Sequence, residues 1–246
     1  MANDIVLEVS NLTKKYGDFT AVNNLSLKVA RGEIFGLLGH NGAGKSTTSE
    51  CILGTKKFEG GKISLLQMNP ARDRKKLFQK VGVQLQESNY QDKIKVKEIC
   101  EMTGALYENP ADYKNILKDF KLYDKRNNFV SDLSGGQKQK LSVLLALIPN
   151  PEIVFLDELT TGLDVKARRD IWGYLKKLKN KGISIFLTSH YMDEVEYLCD
   201  RICILKDGNM VISNTVENVI KSSGKERLED AYLYYTGEEE LEYESI

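Results

Sequence analysis

Two short stretches of this sequence carry residue types arranged for phosphate chemistry. Gly39-His40-Asn41-Gly42-Ala43-Gly44-Lys45-Ser46 fits the pattern G-x-x-x-x-G-K-[ST], in which glycines let consecutive backbone N–H groups turn toward phosphate oxygens. Gly39, Asn41, Gly42, Ala43 and Gly44, with Thr47 following, form the predicted cradle. Lys45 is placed to neutralise the β- and γ-phosphates of a bound nucleotide, and the Ser46 hydroxyl to reach a Mg²⁺ whose other ligands are mostly water and phosphate oxygen. The second stretch, Ile153-Val154-Phe155-Leu156-Asp157-Glu158, ends a hydrophobic run in two carboxylates. Asp157 is read as holding the Mg²⁺ through its water shell, and Glu158 as polarising the attacking water. Strand ends also finish in plainly solvated acids; a phosphate loop upstream is what turns this pair toward hydrolysis.

Both motifs need a buried strand that stops where the chemistry starts. Glu33-Ile34-Phe35-Gly36-Leu37-Leu38 is nearly all apolar, of strand length, and leads into the glycines, after which Lys45 to Leu53 has helical spacing. Similar runs recur at Val81-Gly82-Val83, Ile153–Leu156, Ile183–Leu187 and Ile202–Leu205, separated by helical patterns. That order implies a parallel α/β core. Ile5–Val9 and Leu25–Val29 instead alternate apolar and polar around a Tyr16-Gly17-Asp18 turn, the pattern of antiparallel strands. From about 89 to 148 the spacing is helical without a strand-like run between. The expected fold is α/β: a P-loop NTPase core with a mostly parallel sheet, an N-terminal antiparallel β-subdomain and an inserted α-helical subdomain at about 89–148. Residues 1–237 are read as one nucleotide-binding domain and 238–246 as an acidic tail. The charged composition from about Lys225 onward favours solvated chain over a packed element.

Composition narrows the partners. The 246 residues are 41% apolar and 28% charged, enough for a real core, and 35 basic residues balance 35 acidic ones, so no global field draws the chain to nucleic acid or anionic lipid. No nucleic-acid partner is expected. The longest apolar stretch, Val143 to Ile148, is far short of the roughly 20 residues of a spanning helix, and the start of the chain lacks the basic region of a secretory signal. A cytosolic chain is expected. Cys51, Cys100, Cys199 and Cys203 sit in apolar contexts without Cys-x-x-Cys spacing, which reads as reduced core thiols rather than a metal site.

Leu133-Ser134-Gly135-Gly136-Gln137-Lys138-Gln139-Lys140 resembles the signature sequence of the ATP-binding cassette (ABC) family. Ser134, Gly135 and Gly136 stand at a helix start, where a hydroxyl and free N–H groups can meet a γ-phosphate. The remaining family motifs follow from Leu7 to about Gly237. Tyr16 resembles the aromatic that stacks on adenine, with a core aromatic as the plain alternative. Gln86 resembles the glutamine that touches Mg²⁺ and reports nucleotide state, and Gln84 is its rival. Thr161-Gly162-Leu163-Asp164 resembles the loop that contacts the opposite subunit, and His190 the switch histidine that reaches the γ-phosphate and fixes Glu158 and water. Three positions depart from the family pattern. His40 and Leu159 stand where proline is usual, and the latter leaves the turn after Glu158 less rigid. Lys140 replaces arginine and gives up its bidentate fork.

The resemblance implies a head-to-tail pair in which the signature of one cassette, Ser134 to Gln137, closes over the ATP on the phosphate loop of the other. It therefore implies a second ATPase subunit, a homodimer partner or a different cassette, and a separate transmembrane permease that keeps the chain peripheral on the cytoplasmic face of the membrane. Val83–Glu87 and Leu228–Tyr232 with Tyr235–Gly237 are similar to ATPases of ABC-2 exporters of drugs, antibiotics or peptides. The alternative is an ABC-superfamily ATPase uncoupled from transport. DNA-repair relatives carry long heptad segments and translation-factor relatives two tandem cassettes, and this sequence has neither.

Overall fold

The computed structural model describes residues 4–84, 90–91, 93–160 and 163–238. Its chain begins with a long hairpin, β1 (Ile5–Tyr16) and β2 (Phe19–Ala30), whose alternating buried residues Leu7, Val9, Leu25, Leu27 and Val29 face one core. A third antiparallel strand, β4 (Gly60–Leu65), completes the sheet in the order β2-β1-β4. Gly61 is required there. At φ +101° it lies so near β1 that a Cβ would sit 2.6 Å from the carbonyl oxygens of Ser10 and Asn11.

The second sheet has the order β5-β6-β7-β3-β8-β9. Its strands β5 (Val81–Gln84), β6 (Ile153–Asp157), β7 (Ser184–Ser189), β3 (Ile34–Leu38) and β8 (Arg201–Lys206) run parallel, and β9 (Asn209–Thr215) pairs antiparallel with β8. Because side chains alternate, this sheet divides two cores. Ile34, Leu38, Val154, Leu156, Ile185, Leu187, Ile202 and Ile204 face one. Phe35, Leu37, Phe155, Phe186, Cys203 and Leu205 face the other, where the Phe35 and Phe155 rings lie 5.8 and 5.3 Å from that of Phe186.

Helix α1 (Lys45–Ile52) follows β3, one residue shorter than its spacing suggests, and the short α2 (Arg74–Leu77) precedes β5. Between β5 and β6 come α3 (Val96–Gly104), α4 (Tyr113–Asp119), 3₁₀ turns at Tyr123–Lys125 and Val130–Asp132, and α5 (Gly135–Leu147). Then α6 (Val165–Asn180), α7 (Met192–Leu198) and α8 (Val216–Ser223) alternate with the later strands. The expectation of solvated chain from about Lys225 is corrected by α9 (Leu228–Thr236). It buries Leu228, Ala231, Tyr232 and Thr236, and Lys206 of β8 donates to the Thr236 carbonyl. The cysteines are free and buried, as core thiols. Among the described residues no helix is long and apolar enough to cross a membrane.

Candidate active site

The carboxyl ends of β3, β6 and β7 lie side by side in the sheet, and each delivers one part of the site. β3 is buried throughout and ends at the phosphate loop. Two glycines let that loop pack. A Cβ on Gly39 would lie 2.6 Å from the Leu205 carbonyl oxygen of β8, and one on Gly44, at φ +103°, 2.5 Å from that of Ala21 on β2. Gly208 N–H donates to the Ala43 carbonyl at 3.1 Å, fastening the loop to the β8–β9 turn. Helix α1 starts without a side-chain cap, so its first N–H groups and positive dipole end are left for an anion. The Lys45 ammonium folds back over the loop, donating to the carbonyls of Gly39 (2.7 Å) and His40 (3.0 Å). Burial pulls its pKa below the ordinary lysine value, while the nearby Glu158 and Asp157 charges oppose that shift.

At the end of β6, the Asp157 carboxylate accepts the Thr188 hydroxyl from β7, and its backbone N–H donates to the Gln84 side-chain oxygen at 3.1 Å. Burial raises the Asp157 pKa and the adjacent Glu158 adds to that; Thr188 and Lys45 pull the other way. Glu158 leaves the strand line with φ +46°, a left-handed conformation that costs a residue with a side chain about 1–3 kcal/mol. Its N–H donates to the Thr188 carbonyl at 3.1 Å, and its Oε1 lies 3.2 Å from Nδ1 of His190, just past β7. The His190 ring packs on Tyr191 with centroids 4.2 Å apart.

Tyr16 and Phe19 of the hairpin, the phosphate loop from Asn41 to Thr47, and Glu158 line one open cleft of about 400 Å³. The volume suits a small polyanionic ligand. Tyr16 is 43% exposed, so it is no core aromatic, and the Lys14 and Lys56 ammonium groups stand 4.9 and 5.3 Å from its ring centre. A divalent cation fits this chemistry. Ser46 offers a hydroxyl and Asp157 a half-buried carboxylate, both hard oxygen donors, and no group of three or more His, Cys, Asp or Glu gathers into a fuller cage among the described residues.

Ser134 caps α5. Its hydroxyl accepts the Gln137 N–H (3.3 Å) while the Gln137 side chain accepts the Ser134 N–H (3.0 Å), a capping box that holds both side chains. Ser134 and Gly135 are exposed, and neither they nor Gly136 and Gln137 line the cleft. Asp164 caps α6, accepting the Ala167 N–H at 2.8 Å. Gln86, Thr161 and Gly162 lie outside the described residues. Gln84, the rival of Gln86, is 2% exposed and committed to the Asp157 backbone.

Two supports escaped the sequence reading. Thr188 pairs in register with Asp157 across β6 and β7, a relation visible only once the strands are aligned. The Gln139 amide of α5 donates to the Leu159 carbonyl at 2.7 Å, and Leu159 is 1% exposed. The turn after Glu158, expected to be loose without proline, is thus held by burial and this bond. Lys140 makes one close contact with Asp170 of α6, at 3.0 Å, in place of a fork.

The profile described as ABC transporter matches residues 22–161, from β2 through the phosphate loop, the signature and both carboxylates. The chain belongs to the ABC transporter family. This ABC cassette is 41% identical over 213 residues to the Nod factor export ATP-binding protein I of Rhizobium meliloti (strain 1021). The match covers 84% of this chain and 63% of that protein, so the cassette spans less than two thirds of its relative. A solved ATP-binding subunit of an ABC transporter superposes with TM-score 0.86 at 26% identity, covering 94% of this chain and 99% of that one. A dimeric ATP-binding cassette in a post-hydrolysis state, bound to ADP and Pi, superposes with TM-score 0.75 at 26% identity over 85% of this chain and 98% of that one. In this cassette the signature stands away from its own cleft.

Proposed function

We propose that this ABC cassette hydrolyses ATP at sites shared between two copies and that the cycle drives an export permease. The Glu158–His190 contact carries the reading, because it holds a carboxylate beside the cleft on a residue whose backbone adopts the left-handed conformation, φ +46°. Tyr16 stacks on the base. The N–H groups of Gly39 to Thr47 and the Lys45 ammonium bind the phosphates. Ser46, Asp157 and Gln86 would hold a Mg²⁺, which would supply charge neutralisation on the β- and γ-phosphates. Glu158 takes a proton from water as the water oxygen bonds to the γ-phosphorus and the bridge to the β-phosphate breaks, giving ADP and Pi. His190 keeps Glu158 and that water in place.

Ser134, Gly135, Gly136 and Gln137 act on the partner's ATP, and Asp164 belongs to the loop that meets the partner. The exposure of Ser134 and Gly135, and the absence of residues 134–137 from the described lining of the chain's own cleft, support this. The cassette occupies 1–237, with the helical segment at 89–148 presenting the signature. The likeness to a rhizobial Nod factor export ATP-binding protein supports an ABC-2 exporter, with the cassette seated on the cytoplasmic face through its permease. The test is Glu158→Gln, whose amide cannot take the proton. Turnover should nearly vanish while ATP affinity persists and ATP shifts the protein to a dimer on size exclusion; undiminished hydrolysis removes Glu158 from the role of base.

A further inference from the structure

Glu194 is a buried acid that the chemistry above leaves unused. It is the third residue of α7, 1% exposed, and both of its carboxylate oxygens are engaged. Oε2 accepts the Ser189 hydroxyl at 2.8 Å, and Oε1 accepts the indole N–H of Trp172 on α6 at 3.1 Å. The Ser189 oxygen in turn accepts the Tyr191 N–H at 3.0 Å. The carboxylate therefore fastens Ser189 directly and, through the Ser189 hydroxyl, Tyr191 on the other side of His190. Burial raises the Glu194 pKa, and the Ser189 and Trp172 donors counter by favouring the charged form.

Helix capping does not account for this acid. A glutamate at the third helical position usually takes the N–H of its own cap residue, but here that N–H, of Tyr191, goes to Ser189. The carboxylate instead joins the end of β7 to the middle of α6. Burying a carboxylate is unfavourable, and plain packing between these elements needs only an apolar side chain. What the acid adds is direction: two donors from different elements meet one rigid acceptor, and His190 stands between the fastened residues.

We propose that Glu194 is the positioning residue for His190, setting the turn after β7 so that Nδ1 meets Glu158, with α6 as the anchor through Trp172. The proposal rests on reading Glu158 and His190 as the catalytic pair. A double-mutant cycle on the full chain tests it through steady-state ATPase kinetics. His190→Ala should lower kcat about 100-fold, in the range of one lost acid–base partner. Glu194→Ala should lower kcat about 10-fold with KM for ATP within about twofold of wild type, as expected when positioning rather than binding is lost. The double variant should then be no slower than His190→Ala, because the acid acts only through the histidine. Glu194→Gln preserves volume and one acceptor and carries the same cycle if the alanine variant does not fold, with a smaller loss. Losses that multiply in the double variant overturn the proposal while leaving the catalytic pair intact. Wild-type turnover in His190→Ala overturns the pair and this proposal together.

Discussion

Glu158 and His190 meet at 3.2 Å across two loops that follow the neighbouring parallel strands β6 and β7. The contact follows from the sheet. Asp157 and Thr188 are register partners, and Thr188 serves both acids, its hydroxyl bonding Asp157 and its carbonyl the Glu158 N–H. A residue on one strand thus sets where both carboxylates of the next strand stand.

Asp157 should lower the stability of the nucleotide-free protein at neutral pH. Its folded-state pKa is raised, so the proton it holds stabilises the fold fully below the ordinary carboxylate range, and that contribution is lost as pH rises through the raised value. Asp157→Asn keeps an oxygen for the Thr188 hydroxyl and removes the charge. It should raise the melting temperature at pH 7, by roughly 2–4 °C per kcal/mol in a chain of this size, with no gain at acid pH. ATPase activity should be lost in the same variant. A melting temperature unchanged at pH 7 contradicts the burial argument.

The phosphate loop was legible because its chemistry needs consecutive residues: the glycines, Lys45 and Ser46 must be neighbours to wrap one phosphate. The parallel strands were legible because burial on both faces leaves an unbroken apolar run, as in Ile34–Leu38. Strands β4 and β9 were not. β4 opens on Gly60-Gly61-Lys62, and β9 is a polar edge whose Met210 and Val211 are exposed. Helix α9 was hidden for a different reason, since Glu229 and Asp230 dominate the local composition while Leu228, Ala231 and Tyr232 keep the spacing of one buried face. Thr188 and Glu194, and the bond of Gln84 to the Asp157 backbone, were out of reach because their partners lie on other elements.

Two loop glycines should respond differently to alanine. Gly42 has φ +88° and open space around its Cβ position, so Gly42→Ala carries only conformational strain, about 1 kcal/mol. Gly44 has φ +103° and the Ala21 carbonyl 2.5 Å from that position, so Gly44→Ala must also push backbone apart. Chemical denaturation should show Gly44→Ala as the less stable variant by at least about 1 kcal/mol, with ATP binding impaired. Equal stabilities contradict the close approach of loop and β2.

Lys45→Ala and Glu158→Gln should fail at different steps. The first removes a point charge from the β- and γ-phosphates and should weaken ATP binding by about 10-fold or more. The second leaves the phosphate contacts whole and should bind ATP as wild type does while turning over at least about 100-fold slower. Equilibrium titration with a fluorescent ATP analogue, beside steady-state rates, separates them. Equal affinity in both variants would remove the distinction.

The shared site is tested most directly by Ser134→Arg, which places a bulky cation at the exposed signature and leaves Tyr16, Lys45 and Ser46 untouched. Specific ATPase activity should be measured over a dilution series that crosses from dimer to monomer, with the oligomeric state followed by light scattering. The account predicts that wild-type activity per chain falls as dimers disappear, and that Ser134→Arg binds ATP with wild-type affinity but does not hydrolyse it at any concentration. A Ser134→Arg protein that turns over ATP at the wild-type rate where only monomers are present would contradict it, because the site would then be complete within one chain.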